Sequence, residues 1–188
     1  MNAVWLEIPE SFLEERHRLG HDQRDELWEG ELHMVPPARP RHGVLAYDLL
    51  TAIKPIGARL GLRSFPDGAG IYAPDIDPLS WRIPDGSLAR PEQESDRGLE
   101  GAVLCFEIRS TDDDSYRKLP FYARVGLEEV WIVHPASRAI EIYHRVNDEL
   151  VLLAPIAGVH RSPVLGITFE TIAGPVLRLH DGELVSDL

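Results

Sequence analysis

Apolar positions recur along this chain at helix and strand spacings, and the spacing changes several times. Between His42 and Ile53, Leu45, Leu49 and Ile53 recur every fourth residue with Leu50 beside them. That is the spacing of one face of an amphipathic helix, and Pro55 and Gly57 are expected to end it. Pro9 to Leu19 predicts a shorter helix that packs through Phe12, Leu13 and Arg16. ELWEGELHMV, residues 26–35, predicts a hairpin turning at Glu29-Gly30 and stopped by Pro36-Pro37.

The middle of the chain reads as strands. Arg59 to Phe65 and Ala69 to Ala73 are candidates on either side of a Pro66-Asp67-Gly68 turn, and Arg82 to Ala89 is another. AVLCFEI, residues 102–108, is almost uniformly apolar, as a strand covered on both faces should be. After a polar loop over Ser110 to Ser115, a helix is expected to run to Val125 and stop at Gly126. Pro120 belongs in that helix's first turn on this reading, because an interior proline costs about 3 kcal/mol. EVWIV, residues 129–133, is the next buried strand, so 102–133 forms a strand–helix–strand crossover with parallel strands. Ala139 to His144, Leu150 to Leu153 and Val176 to Leu179 are further strands. The expectation is one α/β domain over residues 1–188: a mixed central sheet flanked by helices, with extra C-terminal β-strands.

Composition narrows the function. The chain has 188 residues, a net charge of −12 and 44% hydrophobic residues. No apolar run reaches the ~18 residues needed to span a bilayer. The opening MNAVWLEIPESFLEE is unlike a signal peptide. The single cysteine, Cys105, cannot form an internal disulfide and reads as a small core residue. A cytoplasmic location, away from membranes, is expected. The acidic balance argues against broad attraction to nucleic acid but leaves room for a local basic groove. Seventeen arginines stand beside only two lysines, Lys54 and Lys118, so a lysine here invites a search for a task arginine cannot perform.

One charge stands out. Glu107 lies near the end of a buried strand, where a carboxylate must be paired, protonated or bound to metal. Alternation puts it on one face with Val103, Cys105 and Arg109, so an ion pair with Arg109 is the simplest account. Asp85, 22 residues upstream in IPDGSL, also sits at a strand boundary, although Pro-Asp-Gly alone is ordinary turn chemistry. Together the two acids could supply hard oxygen ligands for Mg²⁺ or Mn²⁺. Asp112, Asp113 and Asp114 read as a solvated loop that caps the following helix. His33, His134, His144 and His160 show no ligand spacing.

IPDGSL, VLCFEIRS, YRKLPFYARVGLEEVWIVHP and IEIYH, in this order, resemble the Uma-two family of predicted restriction endonucleases, within the PD-(D/E)-x-K nuclease superfamily. ELWEGELHMVPPARPRH resembles that family's opening segment, and the resemblance covers roughly residues 24–145. It implies a restriction-endonuclease-like fold and a metal-dependent DNA endonuclease. Asp85 and Glu107 would be the metal-binding acids and Lys118 the basic member, displaced onto the helix. It also implies a homodimer, in which the long C-terminal β segment could form the two-fold interface. Arg109 stands where the wider superfamily carries its lysine, so it is either a phosphate clamp or the partner of Glu107. Glu31 and His42 fall near the family's additional acid and histidine; a solvent-facing hairpin residue and a helix-start residue are the plainer readings. A nuclease-like module without catalysis is the alternative function.

Overall fold

The structure, a computed structural model, describes residues 9–35, 39–73, 75–110 and 114–188. In chain order the elements are α1 (Glu10–Arg18), β1 (Glu26–Trp28), β2 (Glu31–His33), α2 (Pro40–Arg59), β3 (Arg63–Pro66), β4 (Ile71–Ala73), β5 (Asp77–Arg82) and β6 (Gly86–Ala89). They continue with β7 (Glu94–Ser95), β8 (Gly98–Glu100), β9 (Leu104–Ile108), α3 (Ser115–Arg124), β10 (Glu129–Val133), β11 (Ile140–Val146) and β12 (Glu149–Leu152). The C-terminal strands are β13 (Val159–Arg161), β14 (Thr168–Ile172), β15 (Val176–Asp181) and β16 (Leu184–Asp187).

The strands form three sheets. The central one has the order β12-β11-β10-β9-β6-β3, an N-terminal one β2-β1-β5-β4-β8-β7, and a C-terminal one β13-β14-β15-β16. Strands β9 and β10 pair in parallel across the α3 crossover, as their apolar runs require. Both are buried at every position, so each face of the central sheet must be covered. On one face, Leu104, Phe106, Trp131 and Val133 pack against Leu45, Leu49 and Ile53 of α2 and against Phe169, Leu177 and Leu179 of the C-terminal sheet. On the other, Cys105 and Val130 pack with Phe121 and Tyr122 of α3 and with Ile71 and Leu99 of the N-terminal sheet. Alternation along β9 therefore sends Glu107 to the α3 side.

Several expectations change. Helix α1 buries no residue: Phe12 and Leu13 stay exposed, and Arg16 turns inward to Asp25 instead. Helix α2 runs through Pro55 to Arg59, because its buried stripe continues through Ile56 and Gly57. Pro120 is the sixth residue of α3, beyond the first turn. The expected strand over residues 82–89 is two strands, broken at Ile83-Pro84-Asp85, and its halves join different sheets. The hairpin turn at Glu29-Gly30 and the stop at Gly126 are present, with positive φ at all three residues. Asp114 is the N-cap of α3 but makes no capping bond and pairs with Arg117; Asp112 and Asp113 lie outside the described residues.

Candidate active site

The break between β5 and β6 is what creates the site. Strand β6 pairs antiparallel with β9, Gly86 opposite Phe106 and Ser87 opposite Cys105. One step further along that register Asp85 faces Glu107, on the side of the sheet covered by α3. Asp85 Oδ2 accepts the Ile108 amide at 2.7 Å, and His42 Nε2 lies 2.6 Å from Oδ1. His42 reaches it from the first turn of α2, so that helix start and the start of β6 are tied together.

Glu107 is 5% exposed. Its Oε1 accepts the Tyr122 hydroxyl at 2.5 Å and lies 3.1 Å from the Lys118 ammonium, which is also 3.3 Å from Oε2. Lys118 and Tyr122 are four residues apart on α3, hence on one face of the helix. The ammonium meets a second carboxylate, Glu26 of β1, at 2.8 Å. Glu26 is held by the Ile83 amide on Oε1 and the Trp28 indole on Oε2, each at 2.8 Å. Beneath it the buried Arg82 guanidinium lies between the rings of Trp28, at 4.1 Å, and Phe121, at 4.4 Å, and donates to the Leu27 carbonyl. Three acids and one lysine thus converge from β1, β9, α3 and the break between β5 and β6, and so from both larger sheets.

The electrostatics follow from burial. Desolvation pushes the Glu107 carboxyl above its ordinary value, and the Asp85 and Glu26 carboxylates push the same way, against Lys118 and the Tyr122 hydroxyl. Burial alone would lower the Lys118 ammonium; the Glu107 and Glu26 carboxylates reverse that and hold it above the usual lysine value. Lys118 is therefore a permanent cation and is unsuited to accept a proton. The Cys105 thiol is pushed well up by burial, as for an inert core residue.

Of the residues expected from sequence, Asp85, Glu107 and Lys118 meet, and His42 joins them. Glu31 does not: its side chain is 82% exposed and its near neighbour is His33 at 3.9 Å. Its supposed place is taken by Glu26, because β1 and not β2 is the hairpin strand that pairs with β5. Arg109 is not the partner of Glu107; its guanidinium lies over the Tyr116 ring at 5.2 Å. Glu26 and Tyr122 escaped sequence reasoning, although Tyr122 carries the simple signal of standing four residues after Lys118.

Among the described residues no three or more His, Cys, Asp or Glu side chains form a ready metal cage. The donor set suits a small hard cation all the same: Mg²⁺ takes one or two carboxylates and keeps several waters. Asp85, half-buried, and Glu107, buried, would be that pair, opposed across β6 and β9.

Fold and site together define a restriction-endonuclease-like α/β protein. The chain matches the family model described as "Uma2: Putative restriction endonuclease" over residues 9–171, and it belongs to that family. Among solved structures it resembles a nuclease described as putative, of DUF820, from Anabaena variabilis, at 15% identity with a TM-score of 0.60. That match covers 76% of this chain and 83% of the other. No curated protein matches.

Proposed function

We propose that this chain is a Mg²⁺- or Mn²⁺-dependent DNA endonuclease that hydrolyses phosphodiester bonds. The observation that carries the reading is the opposition of Asp85 and Glu107 across β6 and β9, with the Lys118 ammonium 3.1 Å from Glu107. A cation held by Asp85 and Glu107 would polarise the phosphate and lower the pKa of a water. In hydrolysis the attacking oxygen bonds to phosphorus, the bond to the leaving nucleotide oxygen breaks, and the water's proton is lost as the leaving oxygen gains one. Lys118 stays protonated throughout and stabilises the negative charge that grows on the phosphate. Tyr122 and Glu26 fix that ammonium and the Glu107 carboxylate in place. His42 and the Ile108 amide hold Asp85.

The test is cleavage of several DNA forms with Mg²⁺ and Mn²⁺, wild type against Glu107→Ala. Activity in the wild type alone supports the reading. In calorimetry, cation binding that is unchanged in an Asp85→Asn, Glu107→Gln double variant would remove the metal from it. The second reading, a nuclease-like binding module without catalysis, draws on Lys118 being shared by two carboxylates, Glu26 as well as Glu107. A wild type that binds DNA and cuts no form of it with either metal favours that module.

A further inference from the structure

An acidic chain that handles nucleic acid must gather its positive charge locally. Here most arginines are already neutralised by a carboxylate within ion-pairing distance, from Arg16 with Asp25 to Arg178 with Asp187. Among the described residues Arg39, Arg41, Arg97, Arg109, Arg138 and Arg161 have no such partner, and their placement is uneven. Arg39 and Arg41 are exposed at the N-cap and in the first turn of α2, flanking the helix start whose His42 touches Asp85. Arg109 follows β9 directly, two residues past Glu107, with its amide bonded to the Val133 carbonyl and its guanidinium stacked on Tyr116.

We infer that Arg39 and Arg41 at the start of α2, and Arg109 just past β9, are the phosphate contacts that hold a nucleic-acid strand across the opposed Asp85 and Glu107. The inference rests on the nuclease reading and deepens it.

Two physical points carry it beyond proximity. Cations at a helix start face the positive end of the helix dipole, an arrangement that is unfavourable unless an anion is near. Helix α2 nevertheless begins Arg39-Pro40-Arg41-His42, with no acid in its first turn and no side-chain cap. Asp85 answers one of these groups through His42, and a phosphate answers the arginines. Just past β9, stacking on Tyr116 holds the Arg109 fork, and a planar fork suits phosphate oxygens. Arg97, over the Tyr72 ring in the N-terminal sheet, and Arg161, on β13 of the C-terminal sheet, are equally unpaired among the described residues but belong to elements that carry none of the acids, so they serve as controls.

The experiment uses the full chain. Fluorescence anisotropy in EDTA follows binding of a labelled DNA duplex, the single DNA strand and the matching RNA strand over a range of salt. The expected result is that each lost phosphate contact lowers the slope of log K against log salt by about one. Arg109→Ala should show one such loss and the Arg39→Ala, Arg41→Ala double variant two. In the Mg²⁺ or Mn²⁺ assay these variants should raise KM and keep kcat, as loss of uniform binding does. The thermal midpoint of the α2 double variant without nucleic acid should hold or rise. Arg97→Ala and Arg161→Ala should match wild type throughout. Wild-type slopes and KM in the Arg39, Arg41 and Arg109 variants, with the wild type binding and cutting normally, overturn this inference and leave the nuclease reading standing. A wild type that neither binds nor cuts any probe overturns both. Preference for DNA over RNA identifies which backbone the track takes.

Discussion

The Lys118 ammonium lies within 3.1 Å of two buried carboxylates, and this changes what its removal should do. From sequence alone, Lys118→Ala would leave the fold nearly intact. In the structure it strands Glu107 and Glu26 without a counter-charge, and breaking a buried pair costs about 3–5 kcal/mol. The variant should therefore unfold at lower denaturant. Its folded fraction should cut DNA about a hundred- to a thousandfold more slowly, the loss expected from removing a preorganised charge. Lys118→Arg should fall well below wild type, because a planar fork does not fill the place of a point charge. The same changes at the exposed Lys54 should leave stability and cleavage unchanged. Cleavage at the wild-type rate by Lys118→Ala would take this lysine out of the mechanism. Glu129, at the start of β10, gives a separate reading by pH. Burial raises its carboxyl above the ordinary value, against bonds from Ser162, Trp131 and the Val164 amide. The folded chain then holds that proton more tightly than the unfolded chain, so stability is lost as pH rises above the ordinary carboxylate value of 4.5. The unfolding free energy of Glu129→Gln relative to wild type should move in the variant's favour as pH rises through that range, and level off below it. A difference that is flat with pH would show the carboxyl to be unshifted.

At the scale of elements, the decisive join is β6 against β9. Gly86 sits under the Phe106 ring so closely that an added Cβ would fall on it. Gly86→Ala should cost ~1–3 kcal/mol of stability by overpacking. It should also depress cleavage more than that loss of stability accounts for, since Asp85 is the next residue. Thermal melts and cleavage rates of the same preparation separate the two effects. Strands β9 and β10 were legible in the sequence because each is an apolar run buried at every position, where such runs have no alternative use. Helix α1 was legible as a helix and illegible in its packing, because its partner is a salt bridge to Asp25 and not an apolar groove. Strand β5 was hidden for a different reason. Its exposed and buried positions follow the docking of β1 and β4, a contact between distant segments that leaves no local period. Glu26 was missed on the same account: its burial is created by that docking.

At the scale of the molecule, the C-terminal sheet is part of the core. Phe169 packs edge-on against Trp131 with ring centroids 5.0 Å apart, and Leu177 and Leu179 lie in the same apolar cluster. One face of the sheet expected to supply a two-fold interface is thus packed within the chain, while Leu184 and Val185 of β16 stay exposed. Phe169→Ala should cost about 3–5 kcal/mol. Tryptophan fluorescence and far-ultraviolet circular dichroism should follow one shared unfolding transition, and a separate early transition of the C-terminal strands would contradict that. On the proposed nuclease reading, two-strand cleavage calls for two copies, and light scattering that shows only monomer at micromolar concentration would count against that pairing. Among the described residues no helix is long and apolar enough to cross a membrane. The sharing of Lys118 between Glu26 of one sheet and Glu107 of another has a further consequence for the cell that makes this protein. A chain in which the first hairpin has not yet docked lacks a complete centre, so a partly folded copy would be chemically silent. On the proposed reading, tying the centre to the docked hairpin would spare a genome from cutting by half-made copies.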